Sequence, residues 1–598
     1  MNLGFKLFFT DKTEHVSLAS LSGETIGNTT VYKTTVNGAR VTWTFEHIVA
    51  GDIISLDVKG DAPLGISRID SIVFDVDSFS VTDRIPFFGT NADHTETRYP
   101  CELVEDTPYT NTATGLFPTL VSNGIALALV PPFNNVAVTG AVRHGNALTY
   151  FAKTLFTEDA LSYTKLSAER VFYSENISID GLFDVCESCL PVSSFPMPKL
   201  VGWNSWDYYE QSVTPDDIYE NVDFLKNCSF KDHVKYIVID DGWQHDWGDW
   251  WANDKFSCGL DHVARRITEA GFVPGIWMAP LRIRKTADMF KDHMHWFCKD
   301  DNAPDGVMSF GDMYCVDPTV PEARQYILDT YEKLYGYGYR LFKIDFLIQV
   351  VCAKKFYDTT ATPYSVLSEL MIDIRKATGE DAIILGCSLP VQCGADIAQS
   401  MRSGVDIHVH FPHVVWATES LAWTWMYNDR VTRIDPDFLV VRGEETSNDK
   451  WERNEKYLLH GRRGDPGGFS LDIRWANGDR FNAIEAETWA NIVAISGGNV
   501  FLSDKMTTLN EKGISIIENA LKVAQNGCRP MYLEDDIRLP SVWKGETAVL
   551  ILNWEEIPVK KTVKGLGKSL TSDKPISVSG EDVTVSLLPH ESIVIFVK

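Results

Sequence analysis

The chain has 598 residues, 44% hydrophobic and 23% charged, a balance that excludes intrinsic disorder and predicts two to four globular domains with large cores. Its formal net charge of -27 and pI near 4.9 oppose binding to nucleic acid or an anionic membrane, and favour a neutral substrate. Eleven cysteines, an odd number without regular spacing, argue against a disulfide framework.

Met1 to Asp11 contains too short an apolar run for a signal peptide, and no stretch reaches about 20 uncharged apolar residues. A cytoplasmic location is therefore expected, unless a leader has been removed. Cys186 and Cys189 have no second pair at zinc-finger spacing. The 12% aromatic share suits large cores and also stacking on sugar rings.

Residues 1 to about 195 read as β-structure: Arg40–Phe45 and Ser71–Val76 are β-branched or aromatic runs separated by Gly, Asp and Pro. This pattern predicts an antiparallel β-sandwich over 1–197, ending in the linker Ser193–Pro198. Strands then alternate with helices. The predicted strands are 201–204, 236–241, 272–277, 340–347, 382–387, 404–408, 437–442 and 499–504. The helices between them carry apolar residues at helical spacing, as in Ile218, Val222, Leu225 and in Val366, Leu370, Ile374. Eight such units predict a central (β/α)8 TIM barrel over 198–527. A doubly wound sheet is the alternative, but no Gly-rich phosphate fingerprint follows the first strand. Ala548–Leu552 and Ser592–Phe596 return to β-structure, predicting a small C-terminal antiparallel β-domain over 528–598. The fold class is thus multidomain α/β plus β.

In a barrel the active site lies at the C-terminal strand ends. Asp240 and Asp241, Trp277, Lys343 and Asp345, Cys387, Arg402 with Asp406, Asp437 with Arg442, and Asp504 all fall there. Any one aspartate could simply cap a helix. Acids ending strands two, four, six, seven and eight converge on one mouth, and paired carboxylates with several tryptophans point to glycoside chemistry.

Six ordered motifs carry a resemblance: Gly202-Trp203-Asn204-Ser205-Trp206, Ile239-Asp240-Asp241-Gly242-Trp243, Pro274–Pro280, Phe342-Lys343-Ile344-Asp345-Phe346, Gly386–Pro390 and Met401–Asp406. Together with Asp435-Pro436-Asp437 they resemble the α-galactosidases of glycoside hydrolase family 36 (clan D), closer in length to the shorter bacterial members. The resemblance implies a retaining, exo-acting hydrolase that removes terminal α-galactose by double displacement. Asp345 would be the nucleophile, forming a covalent β-galactosyl intermediate, and Asp406 the acid/base. Such pairs stand about 5 to 5.5 Å apart. Lys343 would keep Asp345 ionised, and Asp406 would have a raised pKa. Asp240 and Asp241 would accept bonds from the axial O4 and O6 of galactose. Trp203, Trp206, Trp243 and Trp277 would form hydrophobic walls, with Cys387 and Arg402 near C2. The substrate implied is a neutral galactose-containing oligosaccharide or glycoconjugate, with no cofactor and no resident metal. Homo-oligomerisation is left open.

Two segments depart from the family pattern. Ser388-Leu389-Pro390-Val391-Gln392-Cys393 lacks the Gly-rich run of many long microbial members, and Ile407-His408-Val409-His410 is not the usual sequence after the acid. α-N-Acetylgalactosaminide and β-L-arabinopyranoside therefore stay open as substrates, as does transglycosylation. Asp406, His408 and His410, if on one strand face, would also fit a metal-dependent barrel hydrolase. A non-catalytic carbohydrate-binding protein is the third class.

Overall fold

The computed structural model describes residues 3–76, 87–88, 109–112, 119–122, 125–145, 147–175, 177–448, 480–523, 527–531, 539–566, 570–572 and 574–597. Two antiparallel sheets precede the first parallel strand. One joins, in spatial order, Thr13–Ser17, Gly4–Phe9, Ile66–Val76, Ala147–Leu155, Val136–His144 and Tyr109–Thr112. The other is built on Thr29–Val36, Ala39–Ile48 and Gly51–Lys59, continued by Arg170–Ser174 and Ile125–Val130. Strand alternation is plain in Ala39–Ile48, where Val41, Trp43 and Phe45 are buried while Arg40, Thr42 and Thr44 are not. Phe5 of the first sheet meets Trp43 of the second edge to face, with ring centroids 5.2 Å apart. A helix, Ile179–Cys189, stands within the stretch expected to be all β. The linker is docked: Ser193 Oγ and the Ser194 N–H donate to Asp396 at 3.0 and 2.7 Å.

The parallel sheet has nine strands, named here β1 (Val201–Asn204), β2 (Tyr236–Ile239), β3 (Val273–Met278), β4 (Leu341–Ile344), β5 (Ile383–Gly386), β6 (Ser400–Arg402), β7 (Arg433–Asp435), β8 (Phe438–Leu439) and β9 (Val500–Leu502). Their spatial order is β7-β6-β5-β4-β3-β2-β1-β9-β8. The two edges, β7 and β8, are separated only by Pro436 and Asp437. One bent segment therefore pairs with β6 through its first half and with β9 through its second. That brings the sheet round onto itself.

Two expected strands move. The sixth is Ser400–Arg402 rather than 404–408, because Gly404 begins a loop that carries Asp406. The seventh is not 437–442. It is split by Pro436, which cannot donate to a ladder, and by Asp437, whose φ of 81° is left-handed.

The helices obey local rules. Helix α1 (Pro215–Asn227) starts with Pro215 after Thr214, whose hydroxyl accepts the Asp217 N–H while Asp217 accepts the Thr214 N–H. After α2 (Leu260–Glu269) and α3 (Pro321–Gly336), α4 (Pro363–Thr378) uses the same box with Thr362 and Ser365. Helix α5 (Phe411–Thr424) follows β6. Helix α6 (Ala483–Ser496) is buried on all sides, which requires cover on both faces. Trp489 donates to Phe438 O at 2.9 Å on the barrel side. Thr488 and Asn491 bond His590 O and Ser592 Oγ of the last β-region. Helix α7 (Glu511–Val523) was not anticipated from the sequence.

Beyond α7 lie a five-stranded and a three-stranded antiparallel sheet, with their own core of Val549, Ile551, Val583, Val585, Ile593 and Ile595. No helix among the described residues is long and apolar enough to cross a membrane.

Gly202 on β1 shows how close the barrel is packed: a Cβ there would lie 2.6 Å from Tyr236 O and 2.7 Å from the Phe501 ring. Gly202→Ala is expected to destabilise the protein by about 1–3 kcal/mol through overpacking, read as a lowered thermal midpoint of the full chain. An unchanged midpoint would show that β2 and β9 yield at this point.

Candidate active site

The C-terminal ends of β2, β4, β6 and β7 gather five aspartates around two cations. Asp240 follows β2 directly and is buried. Its Oδ2 accepts from Lys343 Nζ at 2.7 Å and Asn204 Nδ2 at 2.8 Å, and its Oδ1 accepts the Asp241 N–H at 2.9 Å. Asp241 is buried as well. It accepts from Gln211 at 2.7 Å, Gln244 at 2.5 Å and the Trp247 indole at 3.1 Å.

Lys343 was expected to serve Asp345, but the ion pair it forms is with Asp240. Burial opposes its charge, yet Asp240, then Cys387 and Asp345, outweigh that and raise its pKa. The Phe438 ring lies under the ammonium, 4.9 Å away.

Asp345 stands one residue past β4 and is 9% exposed. Both oxygens are held: Trp277 Nε1 donates to Oδ2 at 3.0 Å and the Phe346 N–H donates to Oδ1 at 2.7 Å. The second bond depends on a left-handed Phe346, φ 54°. Such backbone conformations in a bulky residue are costly and cluster at functional sites.

Asp406 leaves the β6 loop with its side chain 18% exposed. Arg402 Nη2 donates to its Oδ1 at 2.6 Å and also lies 2.9 Å from Asp437 Oδ2. Asp437 Oδ2 further accepts the Ile407 N–H at 2.6 Å. Burial, helped by Asp406 and Asp435, pushes Asp437 well above the usual carboxylate range against the pull of Arg402. Burial likewise raises Asp435, with Arg402 and Lys343 opposing. Two cations thus serve five carboxylates, a crowding that favours the neutral form of the most buried ones. Cys387 is buried, and burial and then Asp345 push its thiol up.

The four tryptophans expected as walls divide. Trp277 reaches Asp345 directly. Trp203 and Trp243 are fully enclosed and give their indole N–H groups to Asp504 O and Trp277 O at 2.9 and 2.8 Å. They back the site rather than offer it a face. Trp206 is buried at the start of a short helix, Trp206–Tyr209. Trp247 and Trp250, which the sequence reading passed over, pack on Trp277 at 5.3 and 6.2 Å.

Arg442 belongs to a second cluster. It bridges Asp504 Oδ1 at 2.8 Å and Asp207 Oδ2 at 2.5 Å, and His408 Nδ1 lies 2.8 Å from Asp207 Oδ1. Burial opposes ionisation of Asp207, but Arg442 and His408 outweigh it and bring its carboxyl down to about 2. Burial lowers the pKa of His408 itself. At neutral pH Arg442 is therefore the charge partner of Asp207, and His408 a hydrogen-bond partner. The metal reading loses its geometry here. Residues 404–408 are not a strand, so no period-two face aligns Asp406, His408 and His410. Among the described residues no group of three His, Cys, Asp or Glu side chains is placed to hold a metal ion. Asp207 had escaped notice, although it follows Trp206 within one residue of a motif already singled out.

Set against known proteins, residues 198–345 match the sequence model of the melibiase family, a class of glycoside hydrolases. The match takes in β1 to β4 and ends on Asp345. Escherichia coli alpha-galactosidase is 28% identical over 152 residues, 24% of this chain and 21% of that protein. The aligned part thus spans about a fifth of that relative. In three dimensions, TtGalA, an alpha-galactosidase from Thermus thermophilus, superposes with a TM-score of 0.53 at 17% identity, over 82% of this chain and 94% of that one. The GH36 alpha-galactosidase AgaA from Geobacillus stearothermophilus gives 0.59 at 12% identity, over 99% and 89%. These likenesses extend to the fold.

Asp207 supplies a pH test. Its folded pKa of about 2 lies below the ordinary 3.8, so its charge stabilises the fold above pH 4 and ceases to do so as pH falls toward 2. The stability difference between wild type and Asp207→Asn, followed by thermal midpoints, is expected to be largest near neutrality, about 2 kcal/mol from charge alone, and to narrow from pH 4 downward. A constant gap would mean that the carboxylate charge contributes nothing.

Proposed function

We propose that the protein is a retaining, exo-acting glycoside hydrolase that removes terminal α-linked galactose from neutral oligosaccharides or glycoconjugates. The observation that carries this reading is Asp345, fixed at both oxygens at the end of β4 inside the same cluster as the Arg402-anchored Asp406. Asp345 attacks the anomeric carbon and forms a β-galactosyl ester while Asp406 gives its proton to the departing oxygen. Asp406 then takes a proton from water, which attacks the ester and restores the α configuration. The Lys343–Asp240 pair and Asp241 line the sugar-hydroxyl side, and Cys387 and Arg402 the opposite side. Trp277, backed by Trp203, Trp206 and Trp243, supplies the apolar wall.

Support comes from the melibiase match over 198–345 and from neighbours whose structures hold galactosyl oligosaccharides: TtGalA with stachyose, and an AgaA variant with raffinose. The strongly negative net charge also suits a neutral substrate. In this reading 1–197 is a β-sandwich, 198–527 a closed (β/α)8 catalytic barrel and 528–598 an antiparallel β-domain, and the chain is a family 36 member.

Replacing Asp345 by Gly is expected to abolish hydrolysis of an aryl α-galactoside, and azide to restore turnover with β-galactosyl azide as product. Wild-type rates in the glycine variant would remove Asp345 from the nucleophile's role. Asp406→Ala is expected to slow substrates with poor leaving groups by about 100-fold or more, and activated aryl galactosides far less. Equal losses on both would leave Asp406 a structural residue. Rates on aryl α-galactoside, α-N-acetylgalactosaminide and β-L-arabinopyranoside rank the sugar.

A further inference from the structure

The loop after β5 begins at Cys387, whose N–H donates to Ile344 O at 2.7 Å, so it starts beside the residue that precedes Asp345. Ser388 follows with a left-handed backbone, φ 51°, and the chain then enters a single turn of helix, Val391–Gly394. A one-turn helix has little stability of its own. On the barrel side the Cys393 thiol donates to Tyr364 O of α4 at 3.7 Å, and a second hold comes from outside the barrel. Gln392 reaches out to Phe133, in the turn between the strands Ile125–Val130 and Val136–His144. The Phe133 N–H donates to Gln392 Oε1 at 2.5 Å, and Gln392 Nε2 donates to Phe133 O at 3.0 Å. The side-chain amide thus pairs with a backbone amide on both of its polar atoms, as a strand neighbour would. The Phe133 ring also lies 5.9 Å from that of Tyr364 on α4.

The turn on the other side is built to hold still. Glu169 Oε1 accepts from the Asn134 N–H at 3.0 Å, the Asn135 N–H at 2.8 Å and the Asn135 side chain at 3.1 Å. Glu169 is buried, and its own N–H donates to Thr154 Oγ1. Arg170 donates to Pro131 O at 2.5 Å. The same β-region also braces the segment after Asp345. The Glu158 N–H donates to Lys354 O at 3.0 Å, Lys355 pairs with Glu158 at 2.9 Å, and the Tyr163 hydroxyl donates to Thr359 O at 2.6 Å.

We propose that Gln392 is a specificity-positioning residue, through which the turn at residues 131–135 holds the β5 loop in register with Asp345 and so sets which sugars the pocket admits. It acts through the loop and touches no reacting atom. The inference rests on the glycosidase reading above and adds to it a role for the β-region before the barrel. Its physical basis is that a loop held to a fraction of an ångström can exclude a bulky ring substituent, whereas a loose one cannot.

The test compares wild type, Gln392→Ala and Glu169→Gln on aryl α-galactoside and aryl α-N-acetylgalactosaminide, with thermal midpoints measured alongside. Gln392→Ala is expected to raise KM for the galactoside more than it lowers kcat, and to shrink the galactoside preference by about tenfold, the scale of pocket discrimination. Glu169→Gln, which loosens the turn without touching the barrel, is expected to shift the preference in the same direction. The double variant is expected to do no more than the larger single one. Should Gln392→Ala fail to fold, the shift with Glu169→Gln decides the matter. Lowered midpoints with an unchanged preference would make the clamp merely structural and overturn the inference while leaving the glycosidase reading intact. Wild type without turnover on either sugar, or on the arabinopyranoside, would overturn both.

Discussion

The cluster at the strand ends depends on a shortage of positive charge. Asp240, Asp345, Asp406, Asp435 and Asp437 are arranged around Lys343 and Arg402, largely out of water. A buried carboxylate without a partner is costly, and a carboxylate beside another cannot ionise freely. The chain answers by assigning each cation closely. Lys343 goes to Asp240, and Arg402 is divided between Asp406 and Asp437. Asp345 is left with neutral N–H donors from Trp277 and Phe346. Its orientation thus comes from one donor on β3 and one from the next residue in the chain. The same shortage explains why burial raises Asp435 and Asp437 rather than leaving five full charges side by side.

Around this cluster the molecule spends much of its packing on support. Trp203 and Trp243 are fully buried, and their N–H groups are tied to backbone carbonyls. Arg442, Asp207 and Asp504 form a separate buried network that pins the ends of β1, β8 and β9 together. The sheets before the barrel hold the segments after β4 and β5, and the last sheets cover α6. Support of the groups at the strand ends is therefore shared among regions far apart in the chain.

Much of the barrel was legible because its signals are local. Pro215 after Thr214, Pro363 after Thr362 and Gly497 after α6 mark helix ends by chemistry that neighbouring residues supply. The apolar runs of β2, β3 and β5 sit within a residue or two of where periodicity puts them, and β4 ends three residues early. β6 and β7 were misplaced for a reason equally physical. They are three residues long, and Gly404–His408 and Asp437–Arg442 look more strand-like than the segments that actually pair. At the site, residue types were readable but pairings were not. Sequence spacing makes Lys343 the neighbour of Asp345, yet the fold carries its ammonium to Asp240, 103 positions earlier. Asp207 was invisible because its importance comes from Arg442, 235 positions later.

The bend at Pro436 and Asp437 also has a bearing on synthesis. Through it the parallel sheet closes, and β1 at residue 201 finds its second neighbour only in β9 at residue 500. A ribosome must therefore deliver some 300 further residues, about a quarter of a minute or more of elongation, before that edge is covered. Until then Val201–Trp203 is an open strand edge, able to pair with another nascent chain.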